Sequence, residues 1–594
     1  MCGITGWALT PGTALPGTLL TQLAQAIAHR GPDDCGEYRD EAAGLALAHR
    51  RLSIIDLSPG GHQPMVHPDT GDALVFNGEI YNFRALRTEL IGQGCRFRSH
   101  SDTEVLLQGL ALWGLRPCLA RLRGMYAFAW WQVASATLHL ARDPMGIKPL
   151  YYGPPPHRAG VVFASEIKAF LALPGFERRV DRRSLGQFLE FGYAFEEHGT
   201  IFAEVRKLPP GHLLRVRAGV AAGPERFFTP ELHVDPSRTS ADWEATLYAT
   251  LRQVVGEHLV ADVPVGLLLS GGLDSSLLAS LAAQSAPVRT FSMGFADSAV
   301  DERPQARAVA RFLGTEHHEL QITAAELRAD LEESAYHFDD LFADWGTIST
   351  GFLYRKCRDL GIKVVIVGEG ADELFGGYWA FRLSAAQTPT DWWLFTLYRH
   401  YVGRRYGRHF GAFRTRMRDY LAATGGDRFA AIRLFESCEQ LPNNFVMKVD
   451  KASMAVSVEA RVPFLDQRVA EIAYRIPARH LLSAGSDKMV LRRMAQRYRL
   501  LPEETLGRPK YGASIAASWM DESESFRVYA RDIILAPGAW TETLGLRGAM
   551  SDYFLHGRRG YPFPRAIGIF SSLAWRLLLL ELWARAYGVH ADEG

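Results

Sequence analysis

An apolar run over 265–269 passes directly into Ser270-Gly271-Gly272-Leu273-Asp274-Ser275-Ser276, and from there into an apolar, helix-patterned segment. A buried strand that breaks at two glycines and restarts as a helix needs cover on both faces. That is the condition of a parallel sheet flanked by helices. The surroundings keep the same rhythm. A helical pattern over 241–260 precedes the run, and strand-like runs at 290–294 and 363–367 alternate with helical stretches after it. From about residue 391 the pattern is mainly helical. These features predict an α/β parallel-sheet domain over 241–594 with a helical C-terminal part.

The preceding 215 residues read differently. Short strand-like runs at 74–76, 127–131, 138–141 and 161–164 are separated by turn residues, with helical patterns at 84–93 and 103–113. Such spacing predicts an α+β sandwich of antiparallel sheets over 1–215. Across 216–240 the pattern weakens. Gly219, Gly223, Pro224, Pro230, Pro236 and Ser240 punctuate it, which predicts a linker. No internal repeat is visible. At about 150 residues per domain, 594 residues accommodate two or three large domains, each with its own core.

Composition narrows the function classes. The chain is 47% hydrophobic and 22% charged, which excludes a disordered or collagen-like chain. Lys and Arg number 66 against 65 Asp and Glu, a net charge of +1, so no global field draws the chain to nucleic acid or an anionic membrane. No run approaches the 18 or so apolar residues of a membrane span. The most apolar late stretch, 568–587, carries Arg576, Glu581 and Arg585 and reads as a packed helix. No secretory signal is visible at the start. The six cysteines lie far apart with no CxxC pair, so neither a disulfide framework nor a zinc site is expected. Cys35, Cys95, Cys118, Cys357 and Cys438 read as structural residues of a reduced cytoplasm.

Cys2 is different. Removal of Met1 would give it a free α-amino group, with an ordinary pKa of about 7.7–8.0, placed to take the thiol's proton. Nucleophile and base would then share one residue. Alone, a second-position cysteine means little. Here it is followed, in order, by His29-Arg30-Gly31-Pro32-Asp33, Arg50-Arg51-Leu52-Ser53-Ile54-Ile55-Asp56, Phe76-Asn77-Gly78-Glu79-Ile80-Tyr81-Asn82, Ser101-Asp102-Thr103-Glu104 and Gly146-Ile147-Lys148-Pro149-Leu150-Tyr151-Tyr152. In these motifs, over nearly its whole length, the chain resembles the class II glutamine amidotransferases of the glutamine-hydrolysing asparagine synthetase family.

The resemblance implies a sandwich of the N-terminal-nucleophile type and a role for each residue. Arg51, with Leu52, Ser53, Ile54 and Ile55, would hold the glutamine α-carboxylate, which a guanidinium matches bidentately. Asp102 would hold the α-ammonium, and Glu79 belongs to the same pocket. The Asn77 side chain and the Gly78 N–H would stabilise the oxyanion formed on attack by Cys2. Read without the family, Asn77-Gly78 is the commonest hairpin turn signal and Arg51 lies on a solvated face. His29, His49 and His62 read as structural.

The glycines at 271–272 let backbone approach a ligand, and the N–H groups at the helix start favour an anion. There is no GxxxxGK[ST]. SGGxDS instead resembles the pyrophosphate loop of ATP pyrophosphatases, which split ATP into AMP and pyrophosphate. A second acidic loop, Val367-Gly368-Glu369-Gly370-Ala371-Asp372-Glu373, also follows an apolar run. In a parallel sheet both loops open at the carboxyl ends of the strands, where ligands bind. Asp274 and Asp372 can then hold Mg²⁺ on the phosphates of ATP. The resemblance implies that Leu269, Ser270, Gly271, Gly272, Ser275, Met293, Val367 and Gly368 hold the nucleotide. It also implies that Glu369 serves acyl-adenylate formation and that Lys488 neutralises pyrophosphate. Lys448, Asp450, Lys451, Glu459, Arg461 and Asp466 fall in a further family stretch, read as a helix and turn walling that pocket.

The resemblance thus implies two coupled reactions. Cys2 releases ammonia from glutamine, and ammonia attacks an acyl-adenylate made from ATP and aspartate. The products are asparagine, glutamate, AMP and pyrophosphate. A shielded ammonia channel and a homodimer belong to the same expectation. Relatives read Asp-Glu-Pro-x-x-Asp-Pro-Ser where this chain has Asp339-Asp340-Leu341-Phe342-Ala343-Asp344-Trp345-Gly346, and Lys-x-Gly-Phe where it has Lys510-Tyr511-Gly512-Ala513. The alternative is therefore another acceptor, a sugar uronic acid or a peptide carboxylate. Trp345 could also simply pack in the core. An intramolecular amide-forming cyclase is disfavoured by Cys2, Arg51, Asn77 and Asp102 together. A non-catalytic protein is disfavoured by Asp274, Glu369, Asp372 and Lys488.

Overall fold

Strand Ala73–Ile80 shows how the first domain is layered. Ala73 and Val75 point into one core and Leu74 and Phe76 into another, so both faces of its sheet are buried, as period-two alternation of apolar residues dictates. The structure is a computed structural model that describes residues 2–195, 198–230, 232–295, 301–344, 346–402, 408–483, 485–508, 523–556 and 567–591. Two six-stranded antiparallel sheets stack face to face. One runs Arg206–Lys207, Tyr151–Gly153, Gly160–Ala164, Gly3–Leu9, Leu45–Arg51, Asp34–Asp40. The other runs Val220–Arg226, His212–Arg217, Thr137–Arg142, Gly124–Gln132, Ala73–Ile80, Met65–Val66. Helices Phe83–Gly92 and Asp102–Trp113 cover the outer face of the second sheet. This is the predicted sandwich.

The second domain holds a five-stranded parallel sheet in the order Glu316–Ile322, Arg289–Phe295, Val265–Leu268, Val364–Ile366, Glu459–Arg461. Helices follow the strands and then dominate. The late apolar stretch is helix Ile567–Tyr587, with Trp575 and Trp583 fully buried, so it is a packed helix. Among the described residues no helix is long and apolar enough to cross a membrane. All six cysteines are free thiols.

The structure corrects three readings. The predicted linker over 216–240 begins too early. His212–Arg217 and Val220–Arg226 pair antiparallel, joined through Ala218 and Gly219 at φ 49° and 77°. Every residue of the second strand is exposed or half-exposed, so it carries no apolar alternation to read. The chain crosses to the second domain only after residue 226, and helix Ser240–His258 opens on a Thr239–Asp242 capping box. Strand Glu316–Ile322 was not foreseen, because its sequence, EHHELQI, is polar. The stretch 446–466 does more than wall the pocket. Lys448 lines it, but Glu459 and Arg461 form a strand, and Asp466 caps helix Gln467–Arg475.

The two domains meet across buried ions. Arg30 donates to Glu166 Oε1 (2.6 Å) and bidentately to Asp450 (2.8 and 3.0 Å). Lys148 lies 3.5 Å from the same Asp450, Lys451 2.9 Å from Asp339 and Lys168 3.3 Å from Asp339. Burial opposes the charge on Asp450, but Arg30 and Lys148 hold its carboxyl below the ordinary value. Removing one partner of such a pair costs about 3–5 kcal/mol, so these contacts fix how the domains sit.

Candidate active sites

Strand Gly3–Leu9 lies at the centre of the first sheet, with Gly3 opposite Arg50. It ends Cys2 in a buried position, 7% exposed. From the facing sheet, fully buried Asn77 accepts the Cys2 N–H through Oδ1 at 3.0 Å. The Asn77 Nδ2 has no hydrogen-bond partner, which leaves a preorganised donor beside the sulfur. Asn77 and Gly78 sit inside strand Ala73–Ile80, opposite Ala127 and Tyr126; they are not a turn. A Cβ on Gly78 would lie 2.2 Å from the Met125 carbonyl, so the close approach of the two strands requires glycine.

Burial pushes the Cys2 thiol up, against the chain's N-terminal ammonium, a hydrogen bond from the Leu52 backbone and the charge of Arg51. Leu52 and Ile54 are buried beside it, while Ser53 is tied through its N–H to Asp33 (2.8 Å) and Ile55 is half-buried. The Arg51 guanidinium donates to the carbonyls of Ser58 (3.2 Å) and Ile55 (3.3 Å). A Cβ on Gly61 would lie 1.9 Å from Arg51 Nη2. Asp102 opens helix Asp102–Trp113 and accepts the Ile80 N–H at 3.0 Å; burial raises its carboxyl to about 6. Glu79 pairs with Arg461 at 2.9 Å, and its other oxygen, Oε1, is buried without a partner.

The histidines are structural. His49 sits 3.1 Å from the Phe76 carbonyl, and burial lowers it to about 3. His29 lies on Glu166 and His62 on Asp34.

At the carboxyl ends of the parallel strands is a cavity of about 500 Å³. Leu269, Ser270, Gly272, Asp274 and Ser275 line it from the first loop, and Val367, Gly368, Glu369 and Asp372 from the second, with Met293 from strand Arg289–Phe295 on the other side of the first loop. The loops are stacked: a Cβ on Gly368 would be 3.3 Å from the Ser275 nitrogen. Gly271 does not line the cavity. At φ 73° it turns the loop against helix Arg303–Leu313, where a Cβ would lie 2.6 Å from the Ala306 nitrogen.

Lys488, 3% exposed, joins the two loops. Its Nζ is 2.6 Å from Asp274 Oδ2 and 2.6 Å from Asp372 Oδ1. Burial opposes its charge, but the two carboxylates hold it protonated, above the ordinary lysine value. Gly377 makes this possible, since a Cβ there would lie 1.8 Å from Asp372 Oδ1.

Lys448 and Glu302 are among the cavity residues to which the sequence reading gave no role. Lys448 Nζ lies 3.3 Å from Glu369 Oε1 and 3.6 Å from Asp344 Oδ1; the family stretch held it but gave no role. Glu302, raised to about 7 by burial, carried no signal. Met1, Trp345 and residues 510–513 lie outside the described residues.

Residues 246–585 match the asparagine synthase family, and residues 1–228 match the glutamine amidotransferase domain. The chain belongs to the asparagine synthase family. It is an enzyme of the carbon–nitrogen ligase class carrying an amidotransferase domain. A Mycobacterium bovis protein with a provisional name as a glutamine-hydrolyzing asparagine synthetase is 33% identical over 576 residues, 86% of this chain and 87% of its own. Glutamine-hydrolyzing asparagine synthetase 1 of Bacillus subtilis is 32% identical over 543 residues, 83% of each chain. Asparagine synthetase B of Escherichia coli is 29% identical over 523 residues, 84% of this chain and 80% of its own.

Proposed function

We propose that the chain makes asparagine from aspartate, with glutamine as nitrogen donor and ATP as energy source. The observation that carries this reading is a buried cysteine beside an unpartnered amide donor, in one chain with two acidic loops converging on a lysine. After Met1 is removed, the Cys2 thiol gives its proton to its own amine and the sulfur attacks the glutamine carboxamide. Asn77 Nδ2 and the Gly78 N–H hold the oxyanion, a contribution of about 2.7–4 kcal/mol per donor. Arg51 binds the α-carboxylate, and Asp102 and Glu79 the α-ammonium. Ammonia leaves with the amine's proton, and water then cleaves the thioester to glutamate.

In the cavity, an oxygen of the acceptor carboxylate attacks the α-phosphorus of ATP and pyrophosphate departs. Ammonia then displaces AMP from the acyl carbon. Lys488 neutralises the pyrophosphate. Glu369 serves adenylate formation, and Lys448 offsets its charge so that a second carboxylate can approach. Among the described residues no three His, Cys, Asp or Glu side chains could hold a metal alone. Asp274 and Asp372 fit Mg²⁺ as a pair of hard oxygen donors completed by phosphate oxygens. Bound there, that ion would supply charge neutralisation to the phosphates. Leu269, Ser270, Gly272, Ser275, Met293, Val367 and Gly368 enclose the nucleotide, with Gly271 shaping the loop. Ammonia is mostly protonated in neutral water, so a shielded passage between the sites belongs to the proposal, as do a cytoplasmic setting and a homodimer.

The departures over 339–347 favour a second reading, the same chemistry on a sugar uronic acid or peptide carboxylate. Asp344 and Gly346 line the cavity, so this segment touches the acceptor. Two experiments test the proposal. Cys2→Ala should abolish glutamine-driven synthesis and leave ammonia-driven synthesis intact; loss of both would overturn the division of labour. With ammonia supplied, aspartate should elicit pyrophosphate release, and magnesium chelation should stop it. If aspartate is inert while another carboxylate is active, the asparagine assignment fails.

A further inference from the structure

Arg461 touches both sites at once. It is fully buried and ends the edge strand Glu459–Arg461 of the parallel sheet. Its carbonyl accepts the Val367 N–H at 2.9 Å, and Val367 begins the loop that carries Gly368 and Glu369. Its guanidinium crosses to the other domain, where Nη2 donates to Glu79 Oε2 at 2.9 Å. Glu79 follows Gly78 directly and precedes Ile80, whose N–H holds Asp102. Three further donors are engaged: Nε on Glu459 (2.6 Å) and Nη1 on the carbonyls of His258 and Val260 (2.7 Å each).

We infer that Arg461 is the positioning residue through which glutamine occupancy at the first site is felt by the acidic loop of the second. This rests on the function proposed above. The unpartnered Glu79 Oε1 is a buried acceptor in the pocket assigned to the glutamine ammonium. An ammonium there weakens the pull of Glu79 on Arg461, and Glu459, already on Nε, takes up more of it. The guanidinium does not move alone, because four of its five N–H donors are engaged. The strand end moves with it, and the Val367 hydrogen bond carries the shift to Glu369. Coupling is reciprocal, so filling the cavity alters the glutamine site through the same residue.

The bland alternative is that Arg461 only caps helix Ser240–His258. The two are separated by measuring glutamate and pyrophosphate together in the full-length enzyme. Arg461→Lys keeps the charge and the backbone carbonyl but loses the fork. Ammonia-driven pyrophosphate release should persist, the stimulation of glutaminase by ATP and acceptor should vanish, and glutamate formed per pyrophosphate should rise about fivefold or more, the lower end of ordinary couplings. Equal loss of both products at an unchanged ratio would overturn the inference. If Arg461→Lys does not fold, Glu459→Gln carries the test, since it removes the charge that takes up Arg461 and alters no residue assigned to a substrate: the ratio should rise, and an unchanged ratio overturns the inference. Absence of glutaminase or of pyrophosphate release in the unaltered enzyme would instead sink the function proposed above.

Discussion

The Cys2 site and the nucleotide cavity are built by opposite means. At Cys2 the geometry comes from sheet register: two facing strands bring Cys2 and Asn77 to 3.0 Å with both residues buried, and the buried Arg30 Nε adds a 3.0 Å hydrogen bond to the Cys2 carbonyl. In the cavity the geometry comes from charge balance. Asp274 and Asp372, about one-fifth exposed, are held together by Lys488, and Glu369 by Lys448. A preorganised donor costs no reorganisation at the moment of reaction. A lysine between carboxylates can give way to phosphate and cation when ligand enters. The first site therefore depends on atoms in place, the second on charges in balance.

Lys488→Met should break the balance most severely. It leaves two facing carboxylates without their cation, and pyrophosphate release should fall on the order of 10³-fold, the size of a lost phosphate-neutralising cation, with glutaminase turnover measured without ATP and acceptor unchanged; a parallel fall in both would show that the sites are not independent in construction. Asn77→Ala should lower glutaminase turnover by about 10²–10³-fold and leave ammonia-driven synthesis alone, as separate assays with the two nitrogen sources will show. Acidification should act on the first site more gently. With Asp102 at about 6, its carboxylate is ionised above that pH and protonated below. On top of the loss set by protonation of the Cys2 amine, glutaminase kcat/KM should fall about tenfold more per unit below pH 6, and Asp102→Asn should remove that extra step; an unaltered acid limb in Asp102→Asn would remove Asp102 from ammonium binding. Salt should give the smallest effect. Raising ionic strength should increase the KM for ATP more than that for glutamine, because the carboxylates of the cavity are partly solvated and screened.

Legibility in the sequence followed burial. Strands with apolar faces announced themselves, and the four runs predicted in the first domain all fall inside strands. Val220–Arg226 did not, because an exposed edge strand needs no apolar residues. Glu459–Arg461 is the reverse case: it is fully buried yet two of its three residues are charged, which no hydrophobic pattern can register. Among the residues of the proposed sites, Cys2, Arg51, Asn77, Asp102, Asp274, Glu369 and Lys488 were readable from ordered motifs. Lys448 was seen without a role, Glu302 was not seen, and Gly271 turned out to serve the backbone.

The sequence by itself determined the two loops, the position of the proposed nucleophile and the domain order, since each depends on residue types adjacent in the chain. Only the tertiary structure decided which charge neutralises which. Glu79 and Arg461 stand 382 positions apart, and Arg30 and Asp450 stand 420 apart. An ion taken out of water must be paired, but electrostatics fixes only the sign of its partner, and folding chooses the residue.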